Sequence, residues 1–320
     1  TITHFLGDEH PTYRVNCPLY RAISICFYKR LAPTPAGDAI AEPGMDAQWK
    51  IQSYINKTDI PIALSSARGW NPFPWDYRGQ CIQQANIKVL KDLPSNPKWP
   101  PYPSGEKLLE KLLKMAIQNK RPVTLLINCP LTPLYTVLSK NPELEVGIAK
   151  VIWMGGAINV PGNLDPATLP KGFGNRKAEW NVFWDPVSTE WIFKNTSFPI
   201  IEFPLDVTNK AKIAKTFVSK LKEQSSKYKY SRLAFQSYSL VYNFSDSNKT
   251  YYEMWDVITT SYLARPDLFA PPKTLKLRVI TEGINQGAIV HSEDGRLVSV
   301  VLDIEHLDQY YDYVLTQFQR

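Results

Sequence analysis

Asn163, Glu179 and Asn181 stand behind the apolar run Val151-Ile152-Trp153-Met154 and its Gly155-Gly156 punctuation. Amides and a carboxylate in loop context just past a strand end are what an α/β protein uses to hold a polar ligand. Taken singly, each of the three is more often a turn residue or a hydrogen-bonded buried polar group. Their gathering behind one strand is what points to a site. His4, His10, His291 and His306 are too scattered for a zinc site or a catalytic pair. His10 could serve as a base beside Glu9, although His-Pro in a polar turn is more often ordinary loop. No GxSxG, P-loop or dinucleotide fingerprint occurs.

The elements that position these residues follow from periodicity. Residues 105–120 carry leucines and Met115 at helical spacing, and 122–130 form a buried strand. A helix over 132–140 leads to the strand at 151–154. Beyond the loop, 186–195 is a helix, 199–205 a strand and 211–243 largely helical. A hairpin from 276–283 to 295–303 and a helix over 304–318 complete the chain. Alternation of this kind calls for an α/β fold, with a mainly parallel central sheet flanked by helices.

With 320 residues, 44% hydrophobic and 21% charged, and no linker or repeat, the expectation is one domain over 1–320. No apolar run is long enough for a transmembrane helix. The net charge of +7 is spread over helices and loops without a nucleic-acid module, which fits a solvated basic face. Cys17, Cys26, Cys81 and Cys129 have neither CxxC spacing nor disulfide-scaffold density, and Cys129 in the apolar strand end reads as buried.

Five segments in order carry a resemblance. They are NPFPWDYR at 71–78, GGAINVPGN with AEWNVFWDP over 155–186, IEFPLDVTNK at 201–210, YYEMWDVITTSYL at 251–263 and EGINQGAIV at 282–290. They resemble the nucleoside hydrolase family, especially its purine-preferring branch. The resemblance runs from about residue 34 to the end and implies a Rossmann-like single domain. It also implies that Asn163, Glu179 and Asn181 contact a ribose, and that Tyr77 and Trp255 flank the base, with Trp75 and Trp180 nearby. A calcium ion is implied, with Asp256 as a distal ligand and Asn128 donating a backbone carbonyl. Asp256 is equally a helix cap, and the aromatics are equally packing residues.

In that family an aspartate cluster after the first strand holds calcium and supplies the base that takes a proton from the attacking water. The first strand candidate here is Ile2–Leu6, followed by Asp8 and Glu9 alone. Tyr13 and Arg14 fall where paired aspartates are expected, so residues 1–33 form a divergent N-terminal segment with a degenerate cluster. An arginine there opposes calcium with fixed charge. The expectation is a pseudoenzyme that acts as a structural or interaction subunit, or a weak nucleoside binder. The alternative is an active calcium-dependent nucleoside N-ribohydrolase, with Asp8 and Glu9 as its acids. The resemblance also implies a homo-oligomer.

Sequons at Asn56, Asn195, Asn243 and Asn248, all expected in loops, favour a secretory setting and a glycoprotein. A processed mitochondrial protein is the competing expectation, and no targeting segment is visible.

Overall fold

The computed structural model describes residues 23–25, 41–72, 80–171, 173–244 and 252–320. In chain order the elements are β1 (Ile23–Ile25), α1 (Ala41–Tyr54), α2 (Gln80–Ala85), α3 (Gly105–Gln118), β2 (Val123–Ile127) and α4 (Thr132–Leu138). Next come β3 (Ile148–Met154), α5 (Trp180–Trp184), α6 (Pro186–Asn195), β4 (Ile200–Phe203), α7 (Leu205–Thr208), α8 (Lys215–Ser225) and α9 (Lys229–Phe244). The chain closes with α10 (Trp255–Ala264), β5 (Lys273–Val279), β6 (Ile289–His291), β7 (Arg296–Val300) and α11 (Leu307–Gln317).

The strands form one seven-stranded sheet in the order β1-β2-β3-β4-β7-β5-β6. Pairings from β1 through β4 to β7 are parallel, whereas β5 runs antiparallel to both β6 and β7. The sheet is therefore mixed and mostly parallel. The expected hairpin is present as β5 against β7, and β6 adds a third strand on the far side of β5.

Alternate side chains of the central strands enter two different apolar clusters. Leu125, Ile127, Val151 and Trp153 pack with α3, α4 and α6, while Leu126, Ile152 and Phe203 pack with α8, α9, α10 and α11. Burial on both faces is why these strands are nearly continuous apolar runs instead of alternating ones.

Helix α3 begins at Ser104, whose hydroxyl accepts from the Lys107 amide at 3.3 Å. It ends two residues short of the expected boundary, and its buried stripe is Leu109, Leu113 and Ala116. Met115 is 40% exposed, so it lies off that stripe. Helix α1 was not expected, because Pro43 and Gly44 stand in its first turn. Pro is tolerated there, where amide donors have no helical partner.

The strand paired with β2 is Ile23–Ile25. Ile2–Leu6 lies outside the described residues, as do Asp8, Glu9, His10, Tyr13, Arg14, Trp75, Tyr77 and Asn248. Among the other sequons, Asn56 sits in an exposed turn at φ 59° and Asn195 ends α6. Asn243 falls within α9, not in a loop. Cys129 is buried as expected. Among the described residues no helix is long and apolar enough to cross a membrane.

Candidate functional site

The site begins where β3 ends. Gly156 adopts φ +84°, and a Cβ there would stand 2.7 Å from both Glu202 Oε1 and Ile289 Cδ1. Only glycine meets both conditions. The turn aims the Gly156 amide at Glu179 Oε2, 3.1 Å away, and the Asn181 amide donates to the same oxygen at 2.9 Å. Glu179 thereby caps the short helix α5. Asn181 donates through Nδ2 to the Met154 carbonyl at 3.0 Å, which ties the loop back to the strand end. Asp206 in α7 accepts from the amides of Ile158 and Asn159 at 2.9 and 2.8 Å. Asn163, exposed at the rim, accepts from the Trp180 amide at 3.2 Å.

Glu179 and Glu202 are only 2% and 0% exposed. Burial pushes the Glu179 carboxyl up to about 7, against three backbone amides that favour its anion, and nearby Asp256 adds to the rise. Burial also holds Glu202 well above the carboxylate range, reinforced by Asp206 and then Glu179. Among the described residues neither Glu202 oxygen has a hydrogen-bond partner.

At the end of β2, Thr259 Oγ1 lies 2.9 Å from Asn128 Oδ1 and 2.8 Å from the Asp256 carbonyl. This joins β2 to the start of α10. Asp256 occupies the first turn of α10 while Met254 holds the cap position, so the cap reading of Asp256 is corrected. Trp255 packs against the cluster of Met154, Ala157 and Leu205, and its ring meets Tyr252 edge-on at 4.6 Å. Asn128 Nδ2, Trp255 Nε1 and Thr208 Oγ1 are buried without a partner among the described residues. Unsatisfied polar groups of this kind cost stability and mark places where a ligand or water completes the bonding.

The fold thus gathers Asn128, Glu179, Asn181, Trp255 and Asp256 at the carboxyl ends of β2 and β3, with Asn163 at the edge. Tyr77 and Trp75 lie outside the described residues, but the segment leading to them is anchored. Asn71 Nδ2 donates to the Phe183 carbonyl at 2.6 Å and to Gln286 Oε1 at 2.9 Å. Three contributors escaped the sequence reading: Asp206, Glu202 and this anchoring role of Asn71. A lone acid inside the apolar run 199–205 was the available signal for Glu202. A cavity of about 370 Å³ between α1, α2 and residues 95–102 shares no lining residue with the site.

The family model described as inosine-uridine preferring nucleoside hydrolase matches residues 34–311. The chain belongs to this nucleoside hydrolase family. Pyrimidine-specific ribonucleoside hydrolase RihA of Klebsiella pneumoniae (strain 342) is 29% identical over 190 residues, 59% of this chain and 55% of that protein. RihA of Shewanella sp. (strain ANA-3) is 29% identical over 180 residues, covering 56% of this chain and 51% of the relative. The match therefore spans about half the length of these relatives. The inosine-uridine preferring nucleoside hydrolase of Bacillus anthracis superposes with a TM-score of 0.74 at 28% identity, covering 93% of this chain and 89% of that one. A purine-preferring ribonucleoside hydrolase from Gardnerella vaginalis shares the fold, with a TM-score of 0.68 at 17% identity over 88% of this chain and 87% of that one.

Calcium takes about six to eight oxygen ligands. Among the described residues no group of three His, Cys, Asp or Glu side chains could hold a metal ion. Asp256 and the Asn128 backbone carbonyl supply by themselves too few oxygens for a calcium shell.

Proposed function

We propose that this nucleoside hydrolase-family chain binds nucleosides through the sugar, using Asn163, Glu179 and Asn181, and that its hydrolytic step is impaired. The carrying observation is Glu179. Its Oε2 is fixed by two amides beside the strand end, and this holds the carboxylate where vicinal hydroxyls can donate to it. Asn181 spends its Nδ2 on Met154, which leaves Oδ1 to accept from a sugar hydroxyl. Trp255 supplies an aromatic wall, and the unpartnered Nε1 and Nδ2 donors of Trp255 and Asn128 await acceptors.

Impairment is supported by the sequence of residues 1–33, in which Asp8 and Glu9 are the only carboxylates and Tyr13 and Arg14 stand where the resemblance expects paired aspartates. The fixed cation of Arg14 disfavours a divalent ion, and a base for the water must then come from elsewhere.

The second reading, an active calcium-dependent nucleoside N-ribohydrolase, is favoured by the 93% coverage of this chain on the Bacillus anthracis structure. It requires Asp8 and Glu9, or groups beyond this chain, to supply the missing acids.

Calorimetric titration of calcium, with inosine hydrolysis assayed on the same sample, separates the two. Nucleoside binding without ribose release and without tight calcium binding is expected. Tight calcium binding accompanied by ribose release would replace this reading with the second.

A further inference from the structure

Glu202 stands apart from the other carboxylates of the site. Asp206 is satisfied by two amides and Glu179 shares its oxygen between two more. Glu202 is fully buried, and neither of its oxygens has a partner among the described residues. Its strand neighbours in register are Trp153 on β3 and Val300 on β7, neither of which is titratable. Among the described residues the charged groups that bear on it are Asp206 of α7 and Glu179 at the head of α5, and both are acids. No described cation is among those influences.

An isolated carboxylate in such surroundings is far costlier than the acid. Its place in the site is set by Gly156. Glu202 Oε1 occupies the space that a Cβ on Gly156 would need, while the amide of the same glycine is held by Glu179. The two carboxyl groups thus address one glycine, one through its amide and one against its α-carbon.

We propose that Glu202 is a positioning residue of the sugar site, an uncharged carboxylic acid seated against Gly156, whose ionisation repels Glu179 and withdraws it from its amides. The inference rests on the sugar-binding reading of Glu179. It gives the site an upper pH limit that Glu179 alone does not impose. Ionised Glu179 is the stronger acceptor for sugar hydroxyls, so affinity rises as pH passes about 7. Once Glu202 loses its proton, two adjacent anions oppose each other and affinity falls. The wild-type profile is a bell, and a permanently neutral residue at 202 leaves only the rising limb.

The test measures adenosine affinity, with a ligand that does not titrate in this range, from about pH 5 to about pH 10 for wild type and Glu202→Gln. The expected result is a wild-type fall approaching about tenfold per pH unit on the alkaline side, and a plateau in the variant. A falling limb retained by Glu202→Gln overturns the proposal, as does loss of binding in a folded variant at all pH values.

Thermal unfolding over the same range is the second measurement, made on Glu202→Gln and Glu202→Met. The folded-state carboxyl titrates above its unfolded value, so wild-type stability is lost as pH rises toward the folded value. The Tm advantage of both variants should therefore grow with pH. A gap that stays constant sinks the uncharged acid. If wild type binds no adenosine at any pH, the sugar-binding reading fails and takes the positioning role with it, while the Tm gap still decides the state of Glu202.

Discussion

Asp206 holds Asn159 by its backbone, accepting from that amide at 2.8 Å across 47 residues of chain. The other oxygen takes the Ile158 amide, so one side chain from α7 fixes the loop that leaves β3. That loop carries Gly156 and leads to Asn163, which makes Asp206 a strut under the sugar site. Asp206→Ala strands the half-buried Ile158 amide, at about 1–3 kcal/mol, and leaves the exposed Asn159 amide to water at smaller cost. Asp206→Asn keeps an acceptor for one amide and should cost about half as much. Urea unfolding checks the ranking, and equal losses in the two variants would show that the amides do not depend on this carboxylate.

Gly156 and Gly283 both adopt positive φ, at +84° and +76°, but their surroundings differ. A Cβ at Gly283 meets nothing within 4 Å, whereas at Gly156 it collides with Glu202 and Ile289. Gly283→Ala should lose only the backbone strain, about 1 kcal/mol. Gly156→Ala adds the overpacking of a filled interior and should reach about 3 kcal/mol or more, together with weaker adenosine binding. Equal unfolding midpoints for the two variants would contradict the close approach at Gly156.

Legibility in the sequence followed local signals. The expected helix at 186–195 was found with the same bounds, because Asp185 caps it, accepting from the Ser188 amide at 2.9 Å, and Pro186 opens it. The β2 and β3 runs were legible because burial on both faces leaves them almost wholly apolar. By contrast, β1 has three residues, too few for any period to show. Of the candidate site, Glu179 and Asn181 could be singled out because their Glu-x-Asn spelling within AEWNVFWDP resembles the family's sugar-binding loop. The junction of Asn128 with Thr259 spans 131 residues, and nothing local announces it. Glu202 was passed over because a single charge does not disturb a strand pattern, although its burial makes it the most unusual group in the site.

The two sequons that lie in described, exposed positions differ in backbone setting. Asn56 stands in a turn at positive φ, while the Asn195 side chain donates back to the Trp191 carbonyl at 2.9 Å. A secretory route, which the sequons suggest, predicts heavier glycosylation at Asn56 than at Asn195, because the second amide is already engaged. Asn243, inside α9, should be the least modified of the three. Expression through a secretory pathway, followed by enzymatic glycan removal and site-by-site mass spectrometry, checks this order. Unchanged gel mobility after glycan removal would count against secretion altogether.

Glu179 should leave its mark on stability as well as on binding. Its folded-state carboxyl titrates near 7, above the value of about 4.3 for an unfolded glutamate. For a group raised in this way, the stabilising contribution is present below the unfolded value and is lost as pH climbs to the folded one. Wild-type stability should therefore decline between about pH 4.5 and about pH 7, by up to about 3 kcal/mol, with burial as the cause. Glu179→Gln keeps an oxygen for the Gly156 and Asn181 amides but cannot ionise. Its stability should show a shallower decline over this window, so the variant gains on wild type as pH rises. Binding moves the other way, because the neutral amide is a poorer acceptor for sugar hydroxyls than a carboxylate. Adenosine affinity of the variant should be weaker at pH 8 and nearly equal to wild type at pH 5. Unfolding curves and titrations at these two pH values decide the matter, and a variant that tracks wild type in both would remove Glu179 from the site.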